Sequence, residues 1–469
     1  MNQRFYIKTL SIVLVGVLAG CAIGPDYQRP STAQSADFKQ VEGWKLATPA
    51  NTTLPESWWT LYNDVELNQL QQKLLMANQN LAQYEARYRQ AIALVKGARA
   101  AYFPTVSANV NSTRAQQGKG NTVTDSYDLG PSASWELDIW GKIRRQVESA
   151  KADAQGSQAD LAAAKLSLQS ELAQTYLQLR IMDIHQQLLD HTVEAYRKSL
   201  TLTENQYNAG MVVKSDMTQA RTQLKNTEAQ AIDIKYQRAQ LEHAIAVLIG
   251  EAPANFSIKA TYKVPPLPVV PKVLPSQLLE RRPDIASAEQ QVISANAQIG
   301  VAKAAWFPDL TLSAGAGYSS NSFSHWINSP NRYWSLGPKF AMTLFDGGLI
   351  RSRYEQAEAA YDEKVANYRQ TVLNGFKEVE DYLVQLYIME QEAIVQKEAT
   401  DSAKESLQLI TNQYEAGMID YLNVATAQYS ALNTERTGIT LLGNQLTASV
   451  KLIAAIGGGW DITKLTKEE

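Results

Sequence analysis

Only one cysteine occurs in this 469-residue chain, Cys21, so no disulfide can form within it. Long apolar runs are missing too: past the first twenty residues no stretch of about 18 apolar residues occurs, which excludes a membrane-spanning helix. Charge is nearly balanced, with a formal net charge of -3, and leaves no electrostatic footprint for nucleic acid. The four histidines, His185, His191, His243 and His325, show no paired ligand spacing and have no cysteine nearby, so no metal site is expected. Gly315-Ala316-Gly317 and Gly457-Gly458-Gly459 do not open phosphate-binding helices, and no nucleophile sits in a recognisable elbow. An enzyme is the weakest class, and no cofactor is expected.

The first residues carry an address. Arg4 and Lys8 precede an apolar stretch from Leu10 to Leu18, and Leu18-Ala19-Gly20-Cys21 follows. Residues 1–20 read as a secretory signal. The small residues before Cys21 resemble the lipobox of bacterial lipoproteins, which makes Cys21 an acylation site; a chance cleavage site is the plain alternative. Ala22 stands where an aspartate would resemble an inner-membrane retention signal. Buried acyl methylenes contribute roughly 0.8 kcal/mol each, enough to hold the mature N-terminus (residues 21–63) at a membrane.

The rest is written twice. Ala98-Arg99-Ala100-Ala101-Tyr102-Phe103-Pro104 recurs as Ala302-Lys303-Ala304-Ala305-Trp306-Phe307-Pro308. Asn205-Gln206-Tyr207-Asn208-Ala209-Gly210-Met211 recurs about 207 residues on as Asn412-Gln413-Tyr414-Glu415-Ala416-Gly417-Met418. The reading is a first repeat over 64–250, a proline-rich extended linker over 251–275, a second repeat over 276–457 and a tail over 458–469. Each repeat reads as helix, two strands, long helix, turn and returning helix. The first helix is expected from about Glu66 to Ala101, ending before Pro104.

The strands are expected at about 104–115, 126–139, 308–320 and 333–345. Tyr127, Leu129, Pro131, Ala133, Trp135 and Leu137 alternate with Asp128, Gly130, Ser132, Ser134 and Glu136, and Trp334 to Leu344 alternates likewise. Period two gives one apolar and one polar face. Twelve tilted steps rise by about 28 Å, close to a bilayer's hydrocarbon core. Trp140, Trp306 and Phe307 lie at one end, Trp326 and Trp334 nearer the other, as interfacial belts would. A soluble sheet with one buried face is the competing reading. Four strands cannot close a barrel, and an open edge in lipid costs several kcal/mol per unsatisfied group, so several chains must share one.

From about Lys142 to Tyr207 there is no proline, and the only glycine is Gly156. Leu172, Leu179, Val193 and Leu200 recur in sevens, as do Val365, Val372, Val379 and Leu386. Heptads this long indicate coiled coil, and about 65 helical residues span close to 100 Å. Gly210 and Gly417 supply the reversals, and shorter helices return over about 215–249 and 422–456.

With Gly24-Pro25-Asp26-Tyr27 after the lipobox and Trp58-Trp59 before Leu61-Tyr62-Asn63-Asp64, the chain resembles the TolC-like outer-membrane factor lipoproteins of resistance–nodulation–division efflux systems. The resemblance covers nearly all of the mature chain. It implies an α plus transmembrane-β fold: a shared trimeric 12-stranded barrel continuing into a long periplasmic α-helical coiled-coil tunnel. It also implies a homotrimer in outer-membrane lipid, a periplasmic adaptor, an inner-membrane transporter of that class, and passive conduction of drugs or other small toxic compounds. A conduit for ATP-driven protein secretion is the alternative, and a poreless coiled-coil spacer a third reading.

In that family the periplasmic tip closes as an iris. By position, Leu422 would form an apolar ring and Tyr414 would hydrogen-bond Asp216 or Ser215. Relatives carry acidic residues where this chain has Asn423 and Thr426; Asp420 either replaces them as an acidic ring or merely begins the returning helix as its N-cap. Gly210, Met211, Val212, Val213, Gly417 and Met418 would form the tips that dock the adaptor.

Overall fold

The computed structural model describes residues 22–32, 54–117, 122–269 and 278–465. The signal and Cys21 fall outside the described residues. Each repeat supplies two strands and a long helical hairpin. In the first, α1 (Val65–Ala77) and α2 (Gln79–Ala100) lead into β1 (Thr105–Gln117) and β2 (Thr122–Leu137), then α3 (Lys142–Asn208) and α4 (Lys214–Leu248). In the second, α5 (Pro283–Ala304) leads into β3 (Asp309–Ser320), β4 (Arg332–Ala341), α6 (Leu349–Glu415) and α7 (Tyr421–Ala455). Both long helices have 67 residues and both returning helices 35.

The strands form one antiparallel sheet in the order β1-β2-β3-β4. Its register aligns the alternation across all four. Val106 and Val110 oppose Ala133 and Leu129; Trp135 and Leu137 oppose Leu312 and Leu310; Leu310, Ala314 and Ala316 oppose Phe340, Leu336 and Trp334. One face is therefore mainly apolar, interrupted towards the β1–β2 hairpin by Ser112, Arg114 and Asp125, while serine, asparagine, glycine, threonine and a few charged residues occupy the other. Both outer strands, β1 and β4, keep an unpaired edge.

Three boundaries depart from the sequence reading. The helix expected from Glu66 to Ala101 breaks at Asn78, whose backbone turns extended while its side chain caps α2 by accepting the Leu81 N–H at 2.9 Å. β2 begins at Thr122, because its hairpin with β1 keeps pairing out to Gln117. β4 stops at Ala341, opposite Asp309, because Pro308 lacks the N–H that would extend the ladder.

The helices repeat the order of the strands. α2 and α4 lie end to end on one side of α3, α5 and α7 lie end to end on its other side, and α6 lies beyond them. Both end-to-end joins are tied by side chains: Asn78 Nδ2 donates to the Leu248 carbonyl, and Arg282 to the Ala455 carbonyl. The main core sits at this level, where Trp58, Tyr62, Leu67 and Leu74 pack with Leu172, Tyr176, Leu179, Ile245 and Val450. The described part of the expected linker, residues 251–269, is not loose. Ile258 is buried, its N–H donates to Glu242, and its carbonyl accepts from Arg238 at 2.6 Å. No helix among the described residues is long and apolar enough to cross a membrane.

Candidate functional site

Both helical hairpins turn on the same local chemistry. Asn208 and Glu415 end the long helices, and Gly210 and Gly417 follow with φ of 74° and 72°, a region where glycine meets no Cβ penalty. The Met211 and Met418 N–H groups reach back to the Gln206 and Gln413 carbonyls at 2.9 Å, and the glycine N–H groups bond the Tyr207 and Tyr414 carbonyls. This Schellman pattern satisfies the last carbonyls of each helix. Met211, Val213 and Met418 stand exposed at the tips, so the turns present apolar knobs outward.

Tyr207 and Tyr414 occupy the same place in the repeated motif, yet their surroundings differ. Tyr207 is 37% exposed and Tyr414 only 3%. Tyr414 packs edge-on against Tyr421, with ring centres 5.5 Å apart, in a cluster with Val424, Ala425 and Ala220. Within the protomer its hydroxyl does not make the expected bond to Asp216 or Ser215; it donates to Gln206 Oε1 at 2.6 Å and lies 3.2 Å from the Thr203 hydroxyl. Tyr414 reaches from α6 past Tyr421, in the first turn of α7, to meet α3 one turn up the helix from the loop. Burial pushes the phenol above its ordinary pKa, and the nearby Asp216 charge pushes the same way, so Tyr414 remains a donor at neutral pH. Ser215 contacts Asp216 at 3.5 Å.

Asp420 holds the N-cap position of α7, but its side chain makes no capping bond and its carboxylate is left exposed. Leu422, 66% exposed, projects from the first turn of α7, while Tyr421 and Val424 point into the cluster. Thr203, Gln206 and Tyr421 were not singled out by the sequence reading. Gln206 could have been, since it precedes the repeated tyrosine in both copies.

The segment after Cys21 is held at the junction of strands and helices. The Ile23 N–H donates to the Trp140 carbonyl at 3.0 Å, and Ala22 lies against Gly141. Gly24, at φ +116°, approaches so closely that a Cβ there would come within 2.6 Å of the Gly300 Cα. Beyond it, Arg145 binds Asp26 at 2.8 Å, Asn296 donates to the Pro25 carbonyl, and Arg29 grips Glu289 with two bonds of 2.7 Å. Trp140 and Phe307 pack at the same level, 4.9 Å between ring centres, where the sheet's apolar face ends.

A family model described as outer membrane efflux protein matches residues 70–251 and again 274–458. The chain belongs to this family of outer-membrane channel proteins. The probable outer membrane lipoprotein SilC of Salmonella typhimurium is 29% identical over 97% of this chain and 99% of that one. The toluene efflux pump outer membrane protein TtgC of Pseudomonas putida is 30% identical over 95% and 94%. Among solved structures, the outer-membrane channel OprN superposes with a TM-score of 0.86 at 30% identity, covering 94% of this chain and all of that one. CusC does so with a TM-score of 0.83 at 25% identity over 93% of this chain. This outer-membrane efflux protein therefore has the sheet-and-tunnel fold of those channels and extends from the outer membrane into the periplasm. Among the described residues no cluster of histidine, cysteine, aspartate or glutamate could hold a metal ion.

Proposed function

We propose that this protein is the outer-membrane channel of a tripartite efflux pump, a homotrimer that passively conducts drugs or other small toxic compounds handed on by a periplasmic adaptor and an inner-membrane resistance–nodulation–division transporter. One observation carries the reading: a four-stranded sheet, apolar on one face and polar on the other with both edges open, continues directly into helices of 67 residues whose order repeats that of the strands. Three such sheets give twelve strands, and closing them removes every edge. Acylated Cys21 anchors the N-terminus, and the segment after it is fastened at Trp140 through Ile23. The exposed Met211, Val213 and Met418 dock the adaptor, with Gly210, Val212 and Gly417 shaping the tips. The iris is held by Tyr414 on Gln206, with Leu422 as an apolar ring and the uncapped Asp420 as an acidic one.

The test is single-channel recording of the purified protein in planar bilayers, paired with native mass spectrometry. Trimers that conduct, with conductance raised by Tyr414→Phe, support the reading. A folded protein that does not conduct, in the wild-type and the variant alike, sinks it.

A further inference from the structure

The register of the sheet also fixes what the polar face carries, and that face holds few charges. In its middle and outer part β1 presents Asn109, Asn111 and Thr113; β2 presents Ser134, Ser132, Gly130 and Ser126; β3 presents Ser313, Gly315, Gly317 and Ser319; β4 presents Gly337, Ser335 and Tyr333. At the helix end the inward charges cancel. Lys142 binds Glu136 at 2.9 Å and Asp309 at 3.5 Å, and Lys339 adds a second cation. Arg114 and Asp125 pair with each other on the opposite, apolar face. Among the described residues of the strands one inward charge is left over: Asp128, in the outer half of β2. Its carboxylate is aimed by the serines on either side, Ser319 donating at 2.6 Å and Ser126 at 2.9 Å.

We infer that Asp128 is a specificity-determining residue of the channel, a ring of carboxylates in the barrel that draws cations and holds back anions just inside the outer mouth. The inference rests on the channel reading above, which puts the polar face around water. A fixed charge in a low-dielectric wall sets the local potential over roughly a Debye length. Its neighbours on this face, Asn111, Ser126, Gly130 and Ser319, offer no compensating cation. Compounds leaving the tube as cations would meet a favourable exit, and anionic ones a barrier.

The measurement is local and made from outside the cell, so the state of the periplasmic tip does not enter. Ser132→Cys places a reporter thiol on the same face, and intact cells are treated with a cationic and an anionic methanethiosulfonate of similar size, with the parent carrying only Cys21 as background. At low ionic strength the cationic-to-anionic rate ratio is expected to fall at least about threefold when Asp128→Asn is added, and the difference should shrink in high salt. Asp128→Glu should keep the ratio, and Asn keeps hydrogen-bonding capacity towards both serines, so folding is preserved. An unchanged ratio in the Asn variant overturns the inference while leaving the channel reading intact. A reporter that neither reagent reaches in a folded trimer overturns the channel reading, and this inference with it.

Discussion

The two long helices have the same length, the same turn and related sequences, yet they live in different surroundings. α3 buries residues along much of its course, Ile143 and Val147 near the sheet, Leu172 to Ile181 at mid-height and Tyr196 towards the tip. α6 buries six: Tyr368, Val372, Gly375, Val379, Leu383 and Tyr414. The difference is one of place in the row. α3 has neighbours on both sides, whereas α6 ends the row and leaves Leu373, Val384, Ile388, Val395 and Leu409 bare. At the opposite end α4 leaves Ile232, Tyr236 and Val247 bare. A duplicated sequence has thus diverged into a central helix that stabilises the chain and an edge helix with an exposed apolar side, which another copy would cover in the proposed trimer.

The sharpest test of that contrast swaps equivalent positions. Arg180 is fully buried in α3, bound to Glu66, to Asp183 at 2.9 Å and to the Lys259 carbonyl at 3.0 Å, and it lies over the Tyr176 ring. Arg180→Ala should cost about 3–5 kcal/mol, because buried acceptors lose their cation. Tyr387, at the same place in α6, is half-buried, and Tyr387→Ala should cost under about 1 kcal/mol in the protomer. Thermal unfolding followed by circular dichroism would show both; equal losses would break the comparison.

On the edge helix the effect should move from folding to assembly. Ile388→Asp with Val395→Asp places charges on exposed apolar positions, and each should cost the closed ring about 2 kcal/mol per seam while leaving helix content unchanged. Sedimentation velocity should find folded protomers. Intact trimers would remove α6 from the interface.

A smaller effect depends on pH. His185 in α3 is buried beside Thr440, and burial together with the Arg436 charge pushes its pKa down to about 4; Glu392 stands exposed at the matching place in α6. The unfolded chain, titrating near 6.5, takes up the proton first as pH falls, so stability is full above that value and lost on the way down towards 4. His185→Gln should flatten this decline, worth on the order of 2 kcal/mol at pH 5. Unfolding midpoints at pH 7.5 and pH 5 decide it.

Smallest is the cap. Asn78→Ala removes the bond to the Leu81 N–H and frees the Leu248 carbonyl, at a cost of about 1 kcal/mol read as a lower unfolding midpoint.

Periodicity made the strands, the long helices and the glycine turns legible in the sequence, because each follows from a local rule repeated many times. The break at Asn78 was not, since Met76-Ala77-Asn78-Gln79 carries neither proline nor glycine. The second copy marks its own join with Arg282-Pro283, so laying the copies side by side would have revealed it. Tyr414 was legible as special but its partner was not: its hydroxyl reaches past α7 to Gln206 on α3, and spacing along one chain does not contain which helix lies within that reach. Asp128 read as one more polar residue in an alternation until the register showed that nothing balances it.

Because strands and helices share one order, the seam between protomers of the proposed trimer would be measured by two rulers at once. A strand can slip past its neighbour only in steps of two residues, or its apolar face would turn inwards. Tilted as barrel strands are, one step lifts the neighbouring chain by about 5 Å, roughly half of a heptad's 10.5 Å. Such a slip exchanges the partner of every apolar residue along the helical seam, so the long tube proofreads the alignment of the short barrel above it.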